Sequence, residues 1–173
     1  MTIKRILLIA IGSLLMIGLL VVAGYIFFQK QQTNEVRHQV TQKMLEEINA
    51  ADPDDKTNPF GENKVINDLT DEDMQMLIHE MSHQKIKADQ KWGFIQITKA
   101  RINWLQEALG QNEFINEAVY QEIVTRWEKG DFSRADKDHN AIWELQGGTV
   151  GKAEGLLTKQ EEKDYVASQL KKK

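Results

Sequence analysis

Residues 6–28 read ILLIAIGSLLMIGLLVVAGYIFF, 23 consecutive positions without a charged side chain. At 1.5 Å of rise per residue a helix of that length extends about 34 Å, enough for the hydrocarbon core of a bilayer. A cleaved leader has a shorter apolar region, about 7 to 15 residues, followed by small residues at the cut site. Here the run ends in Tyr25, Ile26, Phe27 and Phe28, whose rings suit a membrane interface. The expectation is a retained single-pass helix that meets the lipid bilayer through Ile6 to Phe28. Lys4 and Arg5 in front of the run, against Lys30 close behind it, place the N-terminus in the cytoplasm and the rest of the chain outside the cell membrane. Gly12, Gly18 and Gly24 recur every six residues, so the G-x-x-x-G pattern of close-packed helix dimers is missing.

Beyond the anchor, Thr33 to Ala50 sets Val36, Val40, Met44 and Ile48 four apart with Leu45 alongside, one narrow apolar helix face. This predicts a helical stalk over 29–52. Asp52, Pro53, Asp54 and Asp55 break it, and Asn58-Pro59 with Gly61 marks a linker over 53–69. The rest, 70–173, is expected to form an extracytoplasmic helical domain, behind the stub and anchor of 1–28.

Within that domain Thr70 is an N-cap, with Asp71, Glu72 and Asp73 in the first turn where the helix dipole favours negative charge; this helix is expected to reach about Ile86. Thr98 caps a helix that buries Ile102, Trp104, Leu105, Ala108 and Leu109 and stops at Gly110. Phe114 to Lys129 is apolar over more than half its circumference and is therefore expected at the centre. Ser133 opens the next helix, which contains Ala141, Ile142, Trp143 and Leu145, and Thr158 with Glu161 forms a capping box for a last one. Trp92 to Ile97 is the only strand expected, and the four tryptophans, all between 92 and 143, are expected to share a core. The fold class is all-α, a transmembrane helix and stalk followed by a small bundle of about five or six short helices.

Composition excludes several functions. Cysteine is absent, which removes disulfides, thiolate metal sites and a cysteine nucleophile. After the anchor the chain carries 20 basic and 26 acidic residues, a balance that disfavours nucleic acid as a partner, because phosphate binding needs a basic face. The terminal Lys171, Lys172 and Lys173 are a solvated end.

The sharpest local signal is His79-Glu80-Met81-Ser82-His83, an H-E-x-x-H pattern on a helix. Two histidines four apart can hold one zinc ion while the glutamate activates a bound water. Against this, Met74, Leu77, Ile78 and Met81 form the apolar face, and His79 and His83 point the opposite way, to solvent unless another element covers them. Asp89 and Glu107 are the candidate third ligands, but Ile86 stands where the related pattern needs a glycine turn. His38 and His139 lie in unrelated segments. Asp136, Asp138 and Asn140 start like a calcium loop, but Ala141 and Gly147 occupy its turn and bidentate positions, which leaves them as polar helix surface. Gly147, Gly148, Gly151 and Lys152 fail as a phosphate loop, because Ala153 replaces the hydroxyl residue.

The N-terminal anchor, Asn58-Pro59-Phe60-Gly61, the run Met81-Ser82-His83-Gln84-Lys85 and Lys91-Trp92-Gly93 together resemble an uncharacterised family of small membrane-anchored proteins of Bacillus-type bacteria. The resemblance covers most of the chain after the stalk. It implies a Gram-positive cell surface and marks Met81, Ser82, His83, Gln84, Lys85 and Trp92 as a shared structural or interaction surface, without implying a substrate, cofactor or partner. The expected function is a non-catalytic, membrane-anchored domain that binds a protein or a cell-envelope component. The alternative is a membrane-tethered zinc metallopeptidase with His79, His83 and Asp89 or Glu107 as ligands and Glu80 as general base.

Overall fold

The computed structural model describes residues 3–55, 57–61 and 65–171, and their side chains except at 4–15, 30, 33, 34, 37 and 38. The chain is mostly helical. Helix α1 (Ile3–Ala50) is followed by a 3-10 turn (Ile66–Asp68), α2 (Asp71–Ser82), β1 (Ile86–Lys87), α3 (Lys99–Gln111), α4 (Glu117–Glu128), α5 (Ala135–Leu145), β2 (Gly155–Leu156) and α6 (Lys159–Leu170). It divides into two units, Met1–Thr41 and Gln42–Lys173.

The first unit consists of the front of α1. Among the described residues no helix is long and apolar enough to cross a membrane. The side chains of Ile6 to Leu15, the first part of the expected anchor, lie outside the described ones. From Met16 to Phe28 the large apolar side chains are exposed, Leu19 and Leu20 at 67%.

The second unit is built around α2, whose apolar face, Met74, Leu77, Ile78 and Met81, is completely buried. Thr70 caps it as expected: the Thr70 side chain accepts from the Asp73 amide while the Asp73 carboxylate accepts from the Thr70 amide. α3 packs on α4 and α2 on α5. Tyr120, Ile123, Val124 and Trp127 of α4 are all buried, in line with its reading as a central helix. Leu45 and Ile48 from the end of α1, Phe60 from the expected linker and Leu69 join the same core.

Four local expectations are corrected. α2 stops at Ser82, and Ile86 and Lys87 pair antiparallel with Leu156 and Gly155. Residues 92–97 are not a strand, because side chains take the polar groups that a neighbouring strand would have used. Gln42 donates to the Trp92 carbonyl, Asn49 to that of Phe94, and Gln84 Oε1 accepts from the Ile97 amide. Ser133 does not cap α5; its hydroxyl donates to Asp131, and the helix starts at Ala135. The tryptophans do not share one core: Trp104 and Trp127 are buried, Trp92 is 56% exposed, and Trp143 lies half-buried against Gly148 with its Nε1 donating to the Val150 carbonyl.

Most buried polar groups of this unit are matched. Arg101, 1% exposed, donates to the carbonyls of Pro59, Gln96 and Ile48, tying the end of α1 and the loop behind it to α3. Asp71 accepts from the amides of Ile115 and Asn116 and from the Tyr120 hydroxyl, which joins the first turn of α2 to that of α4.

Candidate functional site

Three histidines converge between α2 and α5. His79 on α2 and His83, the C-cap of that helix, lie one turn apart opposite its apolar face, and α5 covers them. On α5, Ala135, His139 and Ile142 fall at i, i+4 and i+7 and are all buried, so His139 sits on the inward stripe of that helix. His139 is 0% exposed and His83 2%. Each ring offers one nitrogen, and these nitrogens lie within 4.8 Å of one another. Ring centroids are 4.9 Å apart for His79 and His83, 4.4 Å for His79 and His139, and 5.4 Å for His83 and His139.

The expectation that His79 and His83 point to solvent is thus corrected by the condition attached to it, a covering element. The placement of His139 in an unrelated segment is corrected as well: it is unrelated in sequence and adjacent in space. Asp138 and Asn140 are not polar helix surface either. Asp138 is 2% exposed, pairs with Arg126 and accepts from Trp127 Nε1, and Asn140 is half-buried against Ala153.

The tautomers follow from the neighbours. His83 Nδ1 lies 2.8 Å from the Gly93 carbonyl oxygen. A carbonyl only accepts, so Nδ1 carries the proton and Nε2 keeps its lone pair. Asn140 donates through Nδ2 to the Ala153 carbonyl and accepts the Ala153 amide on Oδ1, which fixes its amide orientation. That same Oδ1 lies 3.2 Å from His139 Nδ1, so this nitrogen also carries the proton. His139 Nε2 and His79 Nδ1 are buried and without a hydrogen-bond partner among the described residues. The Gln146 side chain near the His79 ring favours its protonated form.

Burial, with repulsion from His83 adding to it, pulls the His79 pKa down to about 3; the same causes bring His139 to about 4. Both are neutral near pH 7, the form that binds metal. A tetrahedral zinc ion with bonds of about 2.1 Å holds its nitrogens about 3.4 Å apart, so the rings need to close by roughly an ångström to share one ion.

The proposed carboxylate ligands are elsewhere. Asp89 is exposed and accepts from the adjacent Gln90 amide, and Glu107 is exposed and accepts from Gln111 one turn on. Glu80 is 7% exposed, and its Oε2 is 3.2 Å from His83 Nδ1, the nitrogen facing away from any ion bound at Nε2. Of the run marked as a structural or interaction surface, Met81, Ser82 and His83 are buried, Gln84 and Lys85 half-buried and Trp92 exposed. Gln84 and Lys85 both contact Glu162 of α6. Lys91 Nζ donates to the carbonyls of His83 and Ile86 and lies 3.9 Å above the Tyr165 ring, and burial lowers its pKa to about 8.

A match to Family of unknown function (DUF6241) spans residues 78–167, which includes all three histidines and most of α6. No curated protein and no solved structure matches the chain.

Proposed function

The chain belongs to Family of unknown function (DUF6241), and from the geometry of its own residues we propose that it is a membrane-tethered, non-catalytic domain that holds one zinc-class divalent metal ion through His79, His83 and His139. The observation that carries this reading is the convergence of three imidazoles, His79 half-buried and His83 and His139 buried, whose ligand nitrogens lie within 4.8 Å of one another and of which His79 Nδ1 and His139 Nε2 have no hydrogen-bond partner among the described residues. Leaving these two nitrogens unpaired costs about 1–3 kcal/mol apiece, and an ion held with His83 satisfies both at once. Nitrogen donors without thiolates suit zinc, copper or nickel. The peptidase reading is weaker because Glu80 sits behind a ligand and not on the open side of the ion.

The tether is Ile6 to Phe28. Its uncharged length and its exposed apolar side chains from Met16 onward support insertion, and Lys4 and Arg5 favour an extracytoplasmic domain; the Gram-positive cell surface rests on the family resemblance alone. A protein or cell-envelope component is the partner class that such a placement favours.

Metal analysis of the purified full chain in detergent tests the central claim. One zinc or cobalt ion per chain is expected, lost in His139→Ala and retained in Asp89→Ala and Glu107→Ala. Absence of stoichiometric metal from the wild type overturns it. Protease accessibility on intact cells tests the orientation, and cleavage only after permeabilisation reverses it.

A further inference from the structure

H-E-x-x-H assigns its glutamate to water activation, but the structure gives Glu80 a different position. Its Oε2 is 3.2 Å from His83 Nδ1, both side chains are almost fully buried, and that oxygen has no hydrogen-bond partner among the described residues. That carboxylate lies directly against Gly93: a Cβ built there would be 2.1 Å from Glu80 Oε2 and 2.7 Å from Leu45 Cδ1. Only a glycine leaves room for the carboxylate beside the ring. Gly93 also supplies the carbonyl that takes the His83 Nδ1 proton at 2.8 Å. The Tyr165 side chain of α6 lies close enough to Glu80 for the negative charge, second to burial, to push its pKa up.

We propose that Glu80 is a positioning residue of the metal site: packed against the Nδ1 edge of His83 while the Gly93 carbonyl accepts the Nδ1 proton, it helps orient the ring so that Nε2 faces His79 and His139, and it offsets part of the charge of a bound dication. This rests on the three-histidine reading and adds a prediction which that reading does not make. A dication polarises the imidazole it binds and makes the distal N–H a stronger donor, so a carboxylate at that nitrogen raises ligand basicity. The three ligands are neutral, and Glu80 is the nearest anion to the His83 ring.

Two substitutions approach the same contact from opposite sides. Glu80→Gln removes the charge and keeps the shape; Gly93→Ala keeps the charge and displaces the carboxylate. Zinc affinity of the full chain in detergent, measured by competition with a chromophoric chelator, is expected to fall about 10- to 100-fold in both. The visible spectrum of the cobalt-loaded protein is expected to keep its intensity but shift in position, as for an altered imidazole in an unchanged ligand set. Circular dichroism checks that each variant is folded. A wild type that binds neither metal overturns the three-histidine reading itself. A wild type that binds, with both variants equal to it in affinity and spectrum, overturns only the role of Glu80. So does a zinc-loaded wild type that cleaves a peptide if Glu80→Gln abolishes cleavage at unchanged affinity, because Glu80 is then the general base.

Discussion

Arg101 and the cluster of buried His83 and His139 with half-buried His79 are polar groups inside the unit Gln42–Lys173, and they differ in one respect. Arg101 meets three carbonyl oxygens, those of Pro59, Gln96 and Ile48. The histidine cluster uses its outer nitrogens on Gly93 and Asn140 and leaves inner ones unmatched. A polar group whose partners are all on the chain holds the fold, whereas the unmatched His79 and His139 nitrogens are what the proposed metal ion would meet.

The largest break in that comparison is His139→Ala. It is expected to reduce zinc affinity by more than the 10- to 100-fold cost of losing an outer partner, as read by chelator competition. Next is Arg101→Met, which orphans three carbonyls and is expected to destabilise by about 3 kcal/mol or more in urea titration while leaving metal stoichiometry at one. The converse sharpens the contrast: in metal-free protein His139→Leu, which removes an unmatched nitrogen, is expected to stay within about 1 kcal/mol of wild type. Zinc at a hundred times its dissociation constant then stabilises the wild type by about 2.7 kcal/mol and the Leu variant not at all, by thermal unfolding.

The smallest expected effect is a pH dependence far from the histidines. Hydrogen bonds from Thr158, with Lys87 nearby, hold the Glu161 pKa at about 2 against an ordinary 4.5. The folded form thus binds the proton more weakly than the unfolded one. This contribution is complete above about pH 4.5 and fades as pH falls towards 2. Asp71 acts in the same direction: burial raises its pKa, but the Ile115 amide, the Tyr120 hydroxyl and Asn116 outweigh that and lower it. A urea midpoint that fell less between pH 6 and pH 3 in Glu161→Gln than in wild type would bear this out, and an equal fall would remove Glu161 from the account.

Where a few neighbouring residues decide the outcome, the sequence was a good guide. Thr70 with Asp73, Thr98, and Thr158 with Glu161 mark helix starts through hydrogen bonds spanning three residues, and all three are in place. Two of the three candidate ligands were equally legible, because His79 and His83 are a helical turn apart. The third member was hidden by distance along the chain and by Asp89, which is much nearer in sequence. One signal was available: His139 shares a helix stripe with Ala135 and Ile142, and a histidine on an inward stripe needs something to face. The pairing of 86–87 with 155–156 left no such trace, since two-residue strands have no periodicity to detect.

Helix α6 carries a consequence of its own. Among its described residues none is buried. It is held by Glu162 on Lys85 and Gln84, by Glu161 on Lys87, and by the Tyr165 ring against Phe94 and Lys91. Such attachments depend on the medium: screening shortens from about 10 Å at 0.1 M salt to about 3 Å at 1 M. Helix α6 is therefore expected to loosen as salt rises, its amide hydrogens exchanging faster in brine, while the histidine-lined seam between α2 and α5 stays closed.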